Sequence, residues 1–346
     1  MQPAQLDANS LWQQIVQRYD AAQRHKAAST FDTHTELVRD DRAGATFVLK
    51  VAAQLRDKPK PPPPQQQQPG AADGPKPACK NPFLPPDPEL FVCHLSDTHS
   101  LVLNKFNVMP YHLLIITRQF ESQLDPLNAR DLAATLAAMQ ALPTGALAFY
   151  NCGPLSGASQ PHKHVQVVPL PLHGGPSLLG GSAASKGASS STGPCPSSTP
   201  SGGGGSAESS SGSSADPPFG PLVDAATSCV APGTPVELRQ LPFISFAARL
   251  PGDATPALLE GLFSQLLQRC GEASKAAGVP EASSSYNALL TRRFLMLVPR
   301  SSEAAGPVNC NSVAFAGSFF VRSEEELAYV RRDPLGILAA VGVPWQ

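Results

Sequence analysis

The chain has 346 residues, enough for one large domain or two ordinary ones, and its apolar content of 42% supports a sizeable core. Lysine plus arginine number 26 against 27 aspartate plus glutamate, a formal net charge of −1, so the chain lacks the basic footprint that duplex nucleic acid or an anionic membrane attracts. An anionic ligand must therefore be held by a local site. Seven cysteines, an odd count with no C-x-x-C, argue against a disulfide framework or a zinc knuckle and fit a reducing, cytoplasmic compartment.

From the N-terminus, "MQPAQLDANSLWQQIVQRYD" lacks the apolar centre of a signal peptide. Asp7 and Asp20 interrupt the acid-poor pattern of an organelle transit peptide. No stretch approaches the roughly 18 apolar residues of a spanning helix. Ser10 with Gln13 reads as a capping box, and Leu11, Ile15 and Tyr19 form the stripe of a first helix. Residues 59–80 are rich in proline and glutamine. Residues 174–215 are mostly serine, glycine, alanine and proline, with Lys186 and Glu208 as their charged residues. Both are expected to stay unfolded, because neither can bury enough apolar surface to offset chain entropy.

Between these tracts the pattern is mixed. Asp125-Pro126 is expected to open a second helix, continued by Leu132, Leu136 and Met139. Thr255-Pro256 opens a third, with apolar pairs from Leu258/Leu259 to Leu266/Leu267, and Ser323 with Glu326 caps a fourth. Strand-like runs fall at 112–117, 145–150, 164–168, 243–249, 293–298 and 313–321. Their irregular order predicts an α+β fold with a mainly antiparallel sheet flanked by helices, interrupted by the two low-complexity insertions.

The informative stretch is "YNCGPLSGASQPHKHVQVVPL", residues 150–170. On a strand, His162, His164 and Gln166 share one face at steps of about 6.5–7 Å, with Lys163, Val165 and Val167 opposite. Such a row can bind metal, face solvent, or carry a histidine nucleophile that attacks phosphorus. Glutamine is a poor third metal ligand and no carboxylate lies nearby. The preceding turn, with Gly153, Ser156, Gly157, Ser159 and Gln160, can form a nest of backbone N–H groups for phosphate oxygens, which favours the nucleophile. His112 reads as a strand-edge residue, and Cys93, His94 and His99 suggest metal only by proximity.

Four ordered blocks, "NKFNVMPYHLLIITRQFESQLDPL", "YNCGPLSGASQPHKHVQVVPLP", "SYNALLTRRFLMLVPR" and "SVAFAGSFFVRSEEELAYVR", resemble the diadenosine tetraphosphate (Ap4A) phosphorylases, or ATP adenylyltransferases, of the histidine-triad superfamily in its H-x-H-x-Q transferase branch. "NPFLPP" at 81–86 is similar as well, and the resemblance runs from about residue 35 to 343. It implies a HIT-like fold, with an N-terminal part over 1–173, an insertion at 174–215 and a C-terminal part over 216–346 packed into one unit. It implies reversible phosphorolysis of Ap4A to ADP and ATP through an adenylyl-histidine. His164 would be the nucleophile, His162 its support and Gln166 a phosphate-facing amide. Gly157, Ala158, Ser159 and Gln160 would be the phosphate turn. Asn151, Asn104, Lys105, Lys58, Asn287, Thr291, Ser318 and Arg322 would be substrate contacts. The expected partners are small nucleotides and phosphate, with no nucleic acid or membrane. No metal site and no tightly bound cofactor are expected, beyond magnesium carried by the substrate phosphates. Cys152, Phe294 and Ser318 stand where the family often has serine, tryptophan and a longer apolar residue. A nucleotide-sugar phosphorylase of the same superfamily and a non-catalytic dinucleotide binder are the competing readings.

Overall fold

Helix α1 (Ala8–Arg24) begins where the Asp7 carboxylate accepts the N–H of Ser10, so Asp7, not Ser10, is its cap. Its stripe of Leu11, Ile15, Tyr19 and Ala22 is buried. The computed structural model describes residues 7–51, 81–173 and 216–346. The expectations for 59–80 and 174–215, and candidate Lys58, lie outside the described residues.

Along the chain follow β1 (Ser29–Thr30), β2 (His34–Asp40), β3 (Ala45–Val51), β4 (Phe91–His94), β5 (His99–Leu103), β6 (Phe106–Asn107) and β7 (Leu113–Thr117). Next come α2 (Ala129–Ala141), β8 (Ala146–Cys152), β9 (His164–Pro169), α3 (Gly220–Thr227), β10 (Val236–Glu237) and β11 (Phe246–Arg249). The C-terminal portion adds α4 (Pro256–Ala276), β12 (Tyr286–Leu290), β13 (Phe294–Pro299), β14 (Ala304–Ala305) and β15 (Val308–Asn309). It closes with α5 (Ser312–Phe315), β16 (Ser318–Val321), α6 (Glu324–Arg332) and α7 (Pro334–Val341).

Nine strands form one sheet in the order β10-β11-β13-β12-β8-β9-β7-β5-β4, and every neighbouring pair is antiparallel. This is the α+β class with a mainly antiparallel sheet. One face packs on α1, α2 and α4, where Leu132, Met139, Leu259, Phe263 and Leu266 meet Ile115, Val165, Val167, Ala288 and Leu297. The other face carries Leu147, Phe149, Leu289 and Met296 against a three-stranded sheet, β16-β3-β2, with Phe47, Leu49, Phe319 and Val321.

The expected strand at 243–249 is extended in the sheet only over Phe246–Arg249, and two larger shifts follow. Helix α2 starts three residues later than its Asp125-Pro126 signal. Asn128 caps it, accepting the N–H groups of Arg130 and Asp131, while the Asp131 carboxylate accepts the N–H of Asn128. This reciprocal box outcompetes proline at a first position. The run 313–321 is not one strand. Asn311 caps the short α5, and Gly317 at φ +89° ends it, leaving only β16 extended. Thr255 and Ser323 cap α4 and α6 as expected.

Asp131 does more than cap. Its carboxylate, fully buried, accepts from Lys163 Nζ at 2.6 Å and from His99 Nε2 at 2.9 Å. Burial alone would raise this carboxyl's pKa, yet the bonds from His99 and Lys163 outweigh it and hold the group below the usual range. Lys163 Nζ also donates to the Pro126 carbonyl. The backbone immediately before β9 is thereby clamped to the start of α2. Removing one partner of such a pair strands the other charge in the core. Asp131→Ala should destabilise the fold by roughly 3–5 kcal/mol in urea unfolding, and a loss under about 1 kcal/mol would contradict the clamp.

Candidate active site

Period-two alternation decides where the functional row points. Gln166 stands opposite Phe149 and Leu114, and His164 opposite Ile116, so both face away from the helices. The row is not solvated: His162 and His164 are buried and Gln166 is half-buried. β9 itself begins at His164, and His162 precedes it in a bridge to Ser122.

His164 Nδ1 lies 2.8 Å from the His162 carbonyl. A carbonyl only accepts, so Nδ1 carries the proton and Nε2 keeps a lone pair with no partner among the described residues. Burial pushes the His164 pKa down to about 4, against a smaller upward pull from that carbonyl, so the ring is neutral at physiological pH. The His164 N–H donates to Gln123 Oε1, and Gln123 Nε2 donates to the carbonyls of Asn151 and His164. One glutamine therefore stitches β8 to β9 at the reactive end. His162 does not touch the His164 ring by hydrogen bond; it supports through its backbone. Its own ring is fixed: Asn81 Oδ1 accepts from the Phe83 N–H, so Asn81 Nδ2 donates to His162 Nδ1, and His162 Nε2 donates to the Thr117 carbonyl. The Phe83 ring lies 5.5 Å and 5.4 Å from the two imidazoles.

Beside the nucleophile candidate, residues 153–160 form a tight loop. Gly153 and Gly157 take φ of +88° and +79°, and a Cβ at Gly157 would stand 2.8 Å from the Cys310 carbonyl. Ser156 is buried and its Oγ donates to the Gly153 carbonyl at 2.7 Å. The N–H groups of Gly157, Ala158, Ser159 and Gln160 find no acceptor among the described residues. Four unpaired amides in sequence are the kind of donor set that can hold an anion.

Arg300 holds this loop from beneath. Fully buried with no carboxylate among its partners, it donates to the carbonyls of Ser156, Val341, Ser302 and Cys310 and to Asn287 Oδ1. Burial lowers its pKa to about 10, which still leaves it charged at neutral pH. A guanidinium only donates, so Asn287 must offer it Oδ1 and turn Nδ2 toward Asn151 Oδ1 (2.8 Å) and the Ser156 carbonyl (3.0 Å). Asn151 Oδ1 also accepts from Ser312 N and Oγ. Asn151 Nδ2 is left without a partner among the described residues.

The remaining candidates divide. Gln166, Asn104 and His112 form one connected group, with Gln166 Oε1 3.0 Å from His112 Nε2 and Asn104 Nδ2 3.1 Å from His112 Nδ1. His112 is thus no mere strand-edge residue. Lys105 is exposed next to Asn104. Asn287, expected as a substrate contact, has both amide atoms bonded to protein and acts through Asn151. Thr291 follows the last residue of β12. Its Oγ1 accepts the N–H groups of Arg293 and Phe294, closing the β12–β13 turn four residues from Asn287, about 13 Å along the strand. Ser318 opens β16 of the smaller sheet, and Arg322 directly follows its last residue. Ser318 is buried with Oγ unpaired, and Arg322, half-buried, uses its N–H on Glu326. Cys152 is buried with Sγ 3.5 Å from the Leu124 carbonyl, and Phe294 is core packing. His94 bonds Ser100, and His99 bonds Thr98 and Asp131. Sequence reasoning did not single out Gln123, Asn81, Arg300 or Ser312. Each lies in or beside a quoted block, but its role depends on contacts across the fold that spacing does not reveal.

Residues 1–178 match the family model of the Ap4A phosphorylase N-terminal domain, and residues 239–344 that of the ATP adenylyltransferase C-terminal domain. The chain is 26% identical over 345 residues to diadenosine 5',5'''-P1,P4-tetraphosphate phosphorylase 2 of Saccharomyces cerevisiae, covering 94% of this chain and 91% of that protein. It is 23% identical to Protein APA1 of the same yeast, covering 92% and 89%. The crystal structure of yeast Ap4A phosphorylase Apa2 in complex with AMP superposes with a TM-score of 0.70 at 24% identity, over 97% of this chain and 98% of that one. The complex with Ap4A superposes at 0.69.

The His164 geometry has a measurable consequence. With a folded pKa of about 4 against about 6.5 unfolded, the unfolded chain binds a proton that the folded chain refuses as pH falls from 6.5 toward 4. The His164 contribution to stability is complete above 6.5 and declines through that window. In histidine-labelled NMR, the His164 ring should keep the Nδ1–H tautomer at pH 5.5, and half-titration near 6.5 would contradict the geometry.

Proposed function

The chain belongs to the Ap4A phosphorylase and ATP adenylyltransferase family, and on that premise we propose that it cleaves Ap4A with orthophosphate to ADP and ATP through an adenylyl group carried on His164. It is a nucleotidyltransferase, and its ligands are small nucleotides. One observation supports the covalent route most: His164 Nε2 holds an unpaired lone pair in a buried, neutral ring, and the loop that leads into β9 carries four unpaired backbone amides.

In the first half-reaction, Nε2 attacks an α-phosphorus of Ap4A. The P–O bond to the remaining triphosphate breaks and ATP leaves. The imidazole becomes cationic as the N–P bond forms, and the His162 carbonyl, already accepting from Nδ1, stabilises that charge. The amides of Gly157, Ala158, Ser159 and Gln160 hold phosphate oxygens, joined by Asn151 Nδ2 and Gln166 Nε2. These donors are fixed before the reaction and need no reorganisation as charge develops. In the second half-reaction, orthophosphate attacks the adenylyl phosphorus, the N–P bond breaks and ADP forms with the ring neutral again.

Lys105, Arg322 and Lys58 would offset polyphosphate charge, and Ser318 would contact the nucleoside. Magnesium would arrive with the substrate, bound through phosphate and water. Among the described residues no helix is long and apolar enough to cross a membrane. The unpaired, buried thiols of Cys152, Cys270 and Cys310 suit a reducing cytoplasm.

Incubation with labelled Ap4A in the absence of phosphate should leave one AMP on the protein, mapped by mass spectrometry to His164. An adduct elsewhere, or none during turnover, overturns the proposal. His164→Ala should lose turnover almost entirely, because the residue is the covalent carrier and not one donor among several.

A further inference from the structure

Gln166 can serve the reaction only if its NH₂ group, not its carbonyl oxygen, faces the phosphate. Nothing in the glutamine itself decides this, since the two ends of the amide are nearly isosteric. The neighbouring hydrogen bonds do decide it. Asn104 Nδ2 lies 2.9 Å from the Phe106 carbonyl, a group that only accepts, so the nitrogen end of Asn104 must be there. The same nitrogen lies 3.1 Å from His112 Nδ1. That ring nitrogen therefore receives a hydrogen and carries none in the neutral ring. The proton of His112 must sit on Nε2, which lies 3.0 Å from Gln166 Oε1. The oxygen end of Gln166 is thereby held against His112, and Nε2 turns to the open side, on the face of β9 that it shares with His164.

We propose that His112 and Asn104 are positioning residues: a relay anchored on the Phe106 carbonyl sets the His112 tautomer and, through it, aims the Gln166 amide nitrogen at the transferring phosphoryl group. The relay gives His112 a purpose that its place at the start of β7 does not suggest. Its ring also stands 6.0 Å from that of Phe149, the residue paired with Gln166 across the sheet, so the imidazole plane is held by packing as well as by bonds. Asn104 acts through His112, because both hydrogens of its amide are committed to protein acceptors.

The inference rests on the adenylyl-transfer reading above, and its test separates the two. The rate of adduct formation from Ap4A without phosphate would be measured by rapid quench on the full chain and on His112→Phe, Gln166→Leu and the double variant. Phenylalanine keeps a ring against Phe149 and removes both ring nitrogens. Loss of an aimed phosphate donor should slow His112→Phe by roughly ten- to a hundredfold, at or below the range for deleting such a donor outright. Gln166→Leu should be at least as slow. The double variant should be no slower than Gln166→Leu, because a residue acting only through Gln166 has nothing left to aim. Asn104→Ala enters from the other end of the relay and guards against a folding defect at residue 112. It should show a smaller loss that likewise vanishes in the Gln166→Leu background.

Effects that multiply in the double variants overturn the relay, since a residue that merely props up the fold would still matter without Gln166. A His112→Phe protein as fast as the parent overturns it as well. A parent chain that forms no adduct defeats the function itself, and this inference with it.

Discussion

A buried backbone carbonyl can accept a hydrogen bond and never donate one, and the reactive ring depends on that asymmetry. At His164 it is the carbonyl of His162, 2.8 Å from Nδ1, that leaves the other nitrogen free. At His162 it is the Thr117 carbonyl, with an asparagine whose orientation is set by the Phe83 amide. At Asn151 the anchor is of the opposite sign: Arg300 only donates, and the sense of Asn287 and then Asn151 follows from it. Buried polar groups favour pairing, so one committed group propagates through its neighbours until the chain of bonds reaches the unpaired atoms of His164 and Asn151. The site's chemistry is laid down by the main chain before any ligand arrives.

Strand β9 and the residue before it show how one backbone serves two layers. Residues 164 and 166 face away from the helices, on the side of Ile116, Leu114 and Phe149. Lys163, Val165 and Val167 face the helices, the valines in the apolar core and the lysine on Asp131. A one-residue slip would send the lysine into the site and the histidine into the helical core. The ion pair therefore opposes that slip as well as contributing to stability, and it stands between the two histidines whose register matters most.

Much of this was readable from residue order. The turn glycines at 153 and 157, the alternation from 162 to 168 and the ordered blocks led to the tight turn, the strand and the class of fold. Local signals also named the caps at Thr255 and Ser323, where the competing group lies within the same turn. They misplaced the start of α2, because the Asn128–Asp131 box and the buried partners of Asp131 together outweigh a proline signal. They misread 313–321, where Asn311 and Gly317 impose a helical turn on β-branched and aromatic residues. Thr291, expected as a substrate contact, is engaged in a turn bond. Gln123 and Arg300 escaped notice for a deeper reason. A buried glutamine or arginine looks like any surface one until the strands it joins, far apart in sequence, are brought together.

The central sheet pairs β8 with β12, Asn151 beside Asn287, across more than a hundred intervening positions. Neither stretch of the chain owns the hydrophobic interior alone. A chain severed between 173 and 216 would yield two pieces, each exposing an unsatisfied ladder edge, and the best match for either edge is the other piece. Reassembly of nicked halves into a working whole, in preference to independent survival of either, is what such a seam implies. It also means that insertions between those positions can accumulate at small entropic cost without parting the two bonded asparagines.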